Sequence, residues 1–470
     1  MTDSRPGPEP DGTSQAPSHA RLLPGIEPGP QTVRSFHAIL LNTLLANVTS
    51  SYLWFGLTFW AYLETRSVLA TSIIGGSYML LVAAASMLFG ALVDRHRKKA
   101  VMLISSTVTL VTYAAAGLVY LSFPVSRLVD WNGPVFWLFA GVILIGGVVE
   151  SLRNIALSTC VTLLVPAPER DKANGRVGAV LGIAFMITSV FSGLSIGQLG
   201  MGGTLAVAVA LTAASLTHLL LIPVPEAVPE FADGDRPTAY DLRATTRTIR
   251  EVPGLLPLIL FATFNNLVGG VFMALMDPYG LTLFSVELWG IVLGVTSLGF
   301  VIGGAIVAKF GLGSRPLRAL MLVNLVAGFV GVVFTLREWA WLYVVGILAY
   351  MCFMPIAEAA EQTILQAVVP FEKQGRVFGF GQMLESGAAP VTAFLIGPIA
   401  QYGLIPYLAS AEGADRWAWL LGRGEARGIA LVFVIAGVLM MIAVVIAMAA
   451  PPYRRLSDAY AESVLASSSQ

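Results

Sequence analysis

Five ionisable residues stand inside otherwise apolar stretches: Glu150, Arg153, Glu358, Glu361 and Glu385. On insertion scales such a group costs about 2.5–3.5 kcal/mol at a bilayer centre, so each needs a partner or a task. Glu150, Arg153 and Asn154 are spaced i, i+3, i+4 and share one helix face; Glu358, Glu361 and Gln362 repeat that pattern. Glu150 and Arg153 can neutralise each other as a structural or gating pair, or face a substrate. Two glutamates one turn apart in low dielectric cannot both stay ionised, so one holds a proton that it can exchange. Glu385 adds a third carboxyl, and the three are candidates for proton coupling. The alternative is that Glu358, Glu361 and Glu385 cap cytoplasmic helix ends or bond neighbouring backbone. Asn42, Asn47, Asn265 and Asn266 are buried amides that either line a cavity or join helices. The sequon Asn47-Val48-Thr49 falls within a span and is set aside. Trp54, Phe55, Phe59 and Trp60 form an interfacial belt, from which a ring can stack on an amphipathic substrate.

The elements that hold these residues must be membrane helices. The chain has 470 residues, 56% hydrophobic and 12% charged, against about 25% charged in soluble domains. A span needs about 20 apolar residues to cross roughly 30 Å of hydrocarbon. That length predicts twelve helices: 36–62, 68–93, 99–122, 134–164, 175–199, 202–222, 254–277, 287–310, 316–335, 339–368, 375–402 and 427–450. The runs are continuously apolar and too long for tilted barrel strands. With a cytoplasmic N-terminus, 21 of the 28 Lys and Arg residues fall in cytoplasmic segments and 6 in outer loops, which puts both ends in the cytoplasm.

Residues 1–35 are polar and Pro-rich and read as a disordered cytoplasmic tail, with 451–470 as the C-terminal tail. Residues 36–222 and 254–450 form two six-helix bundles. The linker 223–253 contains an amphipathic stretch, Tyr240 to Arg250, with Arg243, Arg247 and Arg250 on one face. Cys160 and Cys352 lie inside spans, which argues against a disulfide framework or thiolate metal site. Zero net charge and topologically placed cations give no nucleic-acid surface.

The halves repeat. Gly90-Ala91-Leu92-Val93 returns as Gly304-Ala305-Ile306-Val307. Leu164-Val165-Pro166 followed by Gly175-Arg176-Val177 returns as Val368-Val369-Pro370 followed by Gly375-Arg376-Val377. Three landmarks in the same order indicate an internal repeat. Spans 4 and 10 are then counterparts, as are spans 1 and 7, and each pair presents a polar stripe to a central cavity.

Gly90 to Lys99 resembles the loop 2–3 signature of the major facilitator superfamily: a Gly, then Asp-Arg four residues on, then a basic cluster. Val165 to Asn174, and Gln366 to Val377, are similar to the bacterial drug and macrolide exporter branch. The resemblance covers about residues 36 to 450. It implies that Asp94 meets the start of span 11, where the amides of Gly375 and Arg376 favour an anion, and that Gly90 lets spans 2 and 11 approach. The pair would latch the cytoplasmic gate. Arg95, Lys98 and Lys99 are gating residues on this reading, or plain topology determinants. Three features depart from the branch: Arg97 stands where a small residue is usual, 140–147 lacks the coupling-linked Arg, and Ser192-Gly193 lacks an antiporter Gly-Pro pair.

The resemblance implies an all-α integral membrane protein, two pseudosymmetric bundles that rock about a central site. Its expected work is proton-driven export of small amphipathic or hydrophobic compounds, as a monomer in a bacterial plasma membrane. An ion-coupled importer shares the same fold and stays open, as does a transport-inactive sensor or scaffold, against which Asp94 argues. A channel is remote without a repeated pore loop. No P-loop, metal-ligand cluster or nucleophile–base pair is present in the sequence, so neither an enzyme nor a cofactor is expected.

Overall fold

Proline opens four of the helices, at Pro30, Pro134, Pro316 and Pro451. Its fixed φ suits the first turn, where the missing N–H is not needed. The computed structural model describes residues 22–65, 68–228, 242–424 and 426–468. The expected tail as far as residue 21, the linker stretch 229–241 and residues 469–470 lie outside them.

The first half contains α1 (Pro30–Thr65), α2 (Val68–Arg95), α3 (Lys98–Ser122), α4 (Pro134–Leu164), α5 (170–199) and α6 (201–221). After the linker helix α7 (Leu242–Glu251) come α8 (Leu255–Leu283), α9 (Val286–Thr296), α10 (Leu298–Phe310), α11 (Pro316–Val333), α12 (Ala340–Val368) and α13 (Gln374–Pro398). The last are α14 (Ala411–Leu421), α15 (Arg427–Ala449) and α16 (Pro451–Ser468). No strand occurs among the described residues.

The chain turns between α5 and α6 at Gly200, whose φ of 64° favours a residue without Cβ. The Thr204 hydroxyl donates to Ser195 Oγ at 3.1 Å, whereas nine residues along a straight helix span about 13.5 Å. The contact therefore requires a reversal there. Ten helices among the described residues are long and apolar enough to cross a bilayer. Two of the twelve expected spans do not stand separately in that set. One is 175–199, whose last part is counted in Phe191–Leu221, and the other is 375–402, where α13 is helical but carries Arg376 and Glu385.

Two seams join the halves, α2 against α13 and α5 against α10. Both described chain ends lie at one end of the bundle. Leu23 N donates to the Pro225 carbonyl at 3.2 Å, and Leu456 of α16 is buried against Gly254 at the start of α8. Residues 22–35, expected within the tail, instead bridge Leu22 to Glu226 and start α1 six residues before the expected 36. In the linker helix Thr245, Thr248 and Ile249 are buried and Arg243, Arg247 and Arg250 exposed. At the opposite end, the loop expected at 403–426 is largely helical. Ser410 accepts from Gly413 N to start α14, and buried Arg427 binds Glu338 at 3.0 Å and Tyr279 Oη at 2.8 Å.

Candidate functional site

At the termini end α2 and α13 touch backbone to backbone. A Cβ on Gly90 would overlap the Gly375 carbonyl, with its carbon at 2.9 Å and Arg376 Cα at 3.1 Å. This approach brings the buried Asp94 carboxylate onto the first turn of α13. Asp94 Oδ1 accepts from Gly375 N at 2.7 Å, and Oδ2 from Arg376 N at 3.0 Å and Arg376 Nε at 3.2 Å. Those amides have no intrahelical acceptor, and the helix dipole adds to their pull on an anion. Gly90, Asp94, Gly375 and Arg376 thus form one contact across the halves.

The basic residues beside it divide. Lys98 is buried, donates to the Val93 carbonyl at 2.8 Å and lies 5.2 Å from the Phe371 ring centroid, so it reaches the second half. Lys99 stays in the first half, donating to the carbonyls of Ile222 at 2.6 Å and Leu220 at 3.1 Å. Arg95 leaves its Nε without a partner among the described residues and takes no part in the contact.

Sequence reasoning missed Glu226. Its carboxylate accepts from Lys98 N at 2.7 and 2.8 Å and so caps α3. Burial pushes the Glu226 carboxyl above its ordinary range, against the opposing pull of Lys98 and the capped amides. The available signal was α3 itself, which starts on two lysines after Arg97 with no Ser, Thr, Asp or Asn to cap it.

Deeper in the first half, Arg153 is wholly buried and pairs with Glu150 at 2.7 Å. It also donates to Asn42 Oδ1 at 2.6 Å and to Ser106 Oγ, while Ser105 Oγ donates to Glu150 at 3.3 Å. Asn42, also fully buried, passes the network to α6 through the Ser215 carbonyl at 2.7 Å and His218 at 3.2 Å. Glu150, Arg153 and Asn42, expected on a cavity wall, therefore knit α1, α3, α4 and α6. The reason is that Arg153 Nη1 and Nη2 find their acceptors inside the bundle, while Nε forms the ion pair with Glu150. Asn47 is buried with Nδ2 unpartnered, and Asn154 is half-buried with Oδ1 unpartnered, among the described residues. Asn265 and Asn266 are half-buried, and Asn266 bonds the Ala262 carbonyl of its own helix at 3.1 Å.

In the second half Glu361 is buried, and the carboxyls of Glu385 on α13 and of Glu358 are the charged groups that act on it. Glu358 is exposed and accepts from Gln362 at 3.2 Å. No basic side chain acts on any of the three among the described residues. Glu358 lies ten residues before the end of α12 and Glu385 eleven after the start of α13. That places both about 15–16 Å inside the termini end at 1.5 Å per residue, half of a roughly 30 Å bilayer core. The helix-capping alternative fails for them on that depth. Between cluster and gate, Asn174 of α5 donates to Thr363 Oγ1 and Gln366 Oε1 of α12, both at 2.9 Å, and Gln366 donates to the Ser158 carbonyl at 3.0 Å. These bonds add a further crossing between the halves at the termini end.

Comparison with known proteins agrees with this architecture. The chain is 21% identical over 402 residues to macrolide efflux protein A of Streptococcus pyogenes, covering 82% of this chain and 92% of that one. A bacterial homologue of the iron transporter ferroportin, solved in an outward-facing state, aligns with a TM-score of 0.63 at 14% identity, over 89% of this chain and 100% of that one. The human organic anion transporter MFSD10 gives 0.59 at 14% identity over 88% and 100%. The proton:xylose symporter XylE gives 0.58 at 14% identity over 88% and 95%. Residues 39–393 match the Major Facilitator Superfamily, and with paired bundles closed at one end by Asp94 on α13, this membrane transporter belongs to that family.

Proposed function

We propose that the chain is a proton-coupled exporter of small amphipathic or hydrophobic compounds that works by alternating access. It sits in a bacterial plasma membrane with both termini cytoplasmic, so the shut end is the cytoplasmic gate. The observation that carries the reading is the grouping of Glu358, Glu361 and Glu385 at mid-depth on α12 and α13, with no cation acting on them among the described residues. Export is favoured by the likeness to macrolide efflux protein A along most of both chains.

In this mechanism Glu361 and Glu385 take a proton while the outer side is open and the Asp94 latch is closed. Release of that proton to the cytoplasm accompanies loading of the next substrate. Exposed Glu358, with Asn47, Asn154, Asn265 and Asn266, forms the polar wall of the central site, and the apolar remainder receives the body of the compound. Arg153, Glu150 and Asn42 keep the first bundle rigid as it rocks.

The test is uptake of fluorescent amphipathic drugs into inverted membrane vesicles carrying an imposed proton gradient. The expected result is gradient-dependent uptake that an uncoupler abolishes and whose pH dependence disappears in Glu361→Gln and Glu385→Gln. Uptake that keeps its pH dependence in both variants refutes the proton assignment. Flux in the opposite direction refutes export and makes the chain an importer.

A further inference from the structure

The α5–α10 seam carries a carboxylate of its own, and we infer that Asp171 is a second latch between the halves, complementary to Asp94 but contributed from the opposite side of its seam. The inference rests on the alternating-access reading above. This seam is as tight as the first: a Cβ on Gly175 would come to 2.5 Å from Ala308 N, and one on Gly304 to 2.6 Å from Ala179 Cα. Yet the residue four after Gly304, where the first half has Asp94 four after Gly90, is Ala308.

Helix registration explains the exchange. Matching 3₁₀ turns, Ala167–Glu169 and Phe371–Lys373, precede α5 and α13. Gly375 comes one residue after α13 begins at Gln374, whereas Gly175 comes five residues after α5 begins at Arg170. The difference of four residues is about one turn. In α13 the amides of Gly375 and Arg376 are therefore among the first of the helix and free to bind Asp94. In α5 the amides at 175 and 176 already have acceptors in the added turn, so a carboxylate at 308 would find no donor.

The added turn instead carries Asp171 out to the loop that follows α10. Asp171 Oδ2 accepts from Leu312 N of the second half at 2.8 Å, while Oδ1 takes Lys172 N at 2.7 Å. Gly311 makes this possible: its φ is 72°, and a Cβ there would strike Oδ2. One helical turn further on, Asn174 bonds Thr363 and Gln366, so the same stretch crosses between the halves twice. Arg170 and Tyr460 of the C-terminal helix are the nearby ionisable groups. Opening this end must break the Asp171–Leu312 bond, as it must break the Asp94 bonds.

The test is a distance measurement on the full chain in lipid nanodiscs. Spin labels go on Arg97→Cys and Arg318→Cys, exposed at this end on opposite halves, with Cys160→Ala and Cys352→Ala. Losing one hydrogen bond to a charged group should raise the long-distance, open population about tenfold in Asp171→Ala. Gly311→Ala should do the same and serves if Asp171→Ala fails to fold. Wild-type distributions in both, with a longer one in Asp94→Ala, overturn the second latch and leave alternating access standing. No change in any of the three overturns both.

Discussion

The α2–α13 contact makes the replacement of Gly90 by Ala a measurable load on one state of the protein. The new methyl would lie over the Gly375 peptide, 2.9 Å from its carbonyl carbon and 3.1 Å from Arg376 Cα. Ordinary carbon–carbon contact is about 3.5–4.0 Å, so the helices must part by roughly 0.5–1 Å. The obstructing atoms are backbone and cannot rotate away. Overpacking of this kind costs about 1–3 kcal/mol, and it applies only while the seam is shut. The closed-to-open ratio should therefore fall by about 5–150-fold, with further loss as the Asp94 bonds at 2.7, 3.0 and 3.2 Å stretch. Spin labels at 97 and 318 read that ratio directly. Gly141→Ala is the control, because its Cβ meets nothing within 4 Å. A Gly90→Ala distribution equal to that of Gly141→Ala, in well-folded protein, would refute the argument that this seam is what closes the termini end.

Asp94→Asn keeps the side-chain shape but removes the charge facing two helix amides and Arg376; transport should be lost while membrane abundance, measured by immunoblot, is unchanged. Arg153→Ala leaves Glu150 buried without its partner, which should cost about 3–5 kcal/mol, seen as a lower melting temperature in detergent. Asn42→Ala, which removes only one arm of that network, should cost about 1–3 kcal/mol. Glu226 supplies a pH test. Its carboxyl holds a proton more tightly folded than at the ordinary 4.5, so the folded state binds more protons across the window from there up to the raised value. Stability relative to Glu226→Gln should therefore fall as pH rises through that window, and a rising difference would contradict the burial argument.

The Asp94 contact with Gly375 and Arg376 was expected through the resemblance of Gly90 to Lys99 to the loop 2–3 signature, not from spacing alone. The spacing of Glu358 and Glu361 marked a shared face. Their meeting with Glu385 was not legible, since it joins two helices and depends on how α13 is rotated. Asn42 shows the limit of composition. An amide in an apolar run must find a partner, but nothing local says whether that partner is a substrate or, as here, Arg153 and the Ser215 carbonyl. Glu226 and Asp171 were hidden for the opposite reason. Acidic residues in polar loops look solvated, and these two cap amides 128 and 141 residues away in sequence.

The same two helices carry the carboxyl cluster and much of the contact between the halves at the termini end, and this sets how the two can communicate. α13 holds Glu385 and, nine and ten residues nearer the termini, the Arg376 and Gly375 amides that bind Asp94. α12 holds Glu358 and Glu361 and, within two turns of Glu361, the Thr363 and Gln366 side chains that grip Asn174. Glu361 and Glu385 act on each other between the two rods. Two ionised carboxylates there would repel, by an amount that falls as the rods separate and is larger the drier the site. A small separation there tilts α13 against Asp94 and α12 against Asn174 at once. Both contacts are fixed in geometry by backbone or buried amides, so a small tilt weakens them together. A carboxyl pair at mid-depth can thus bias contacts about 15 Å away through two rigid helices.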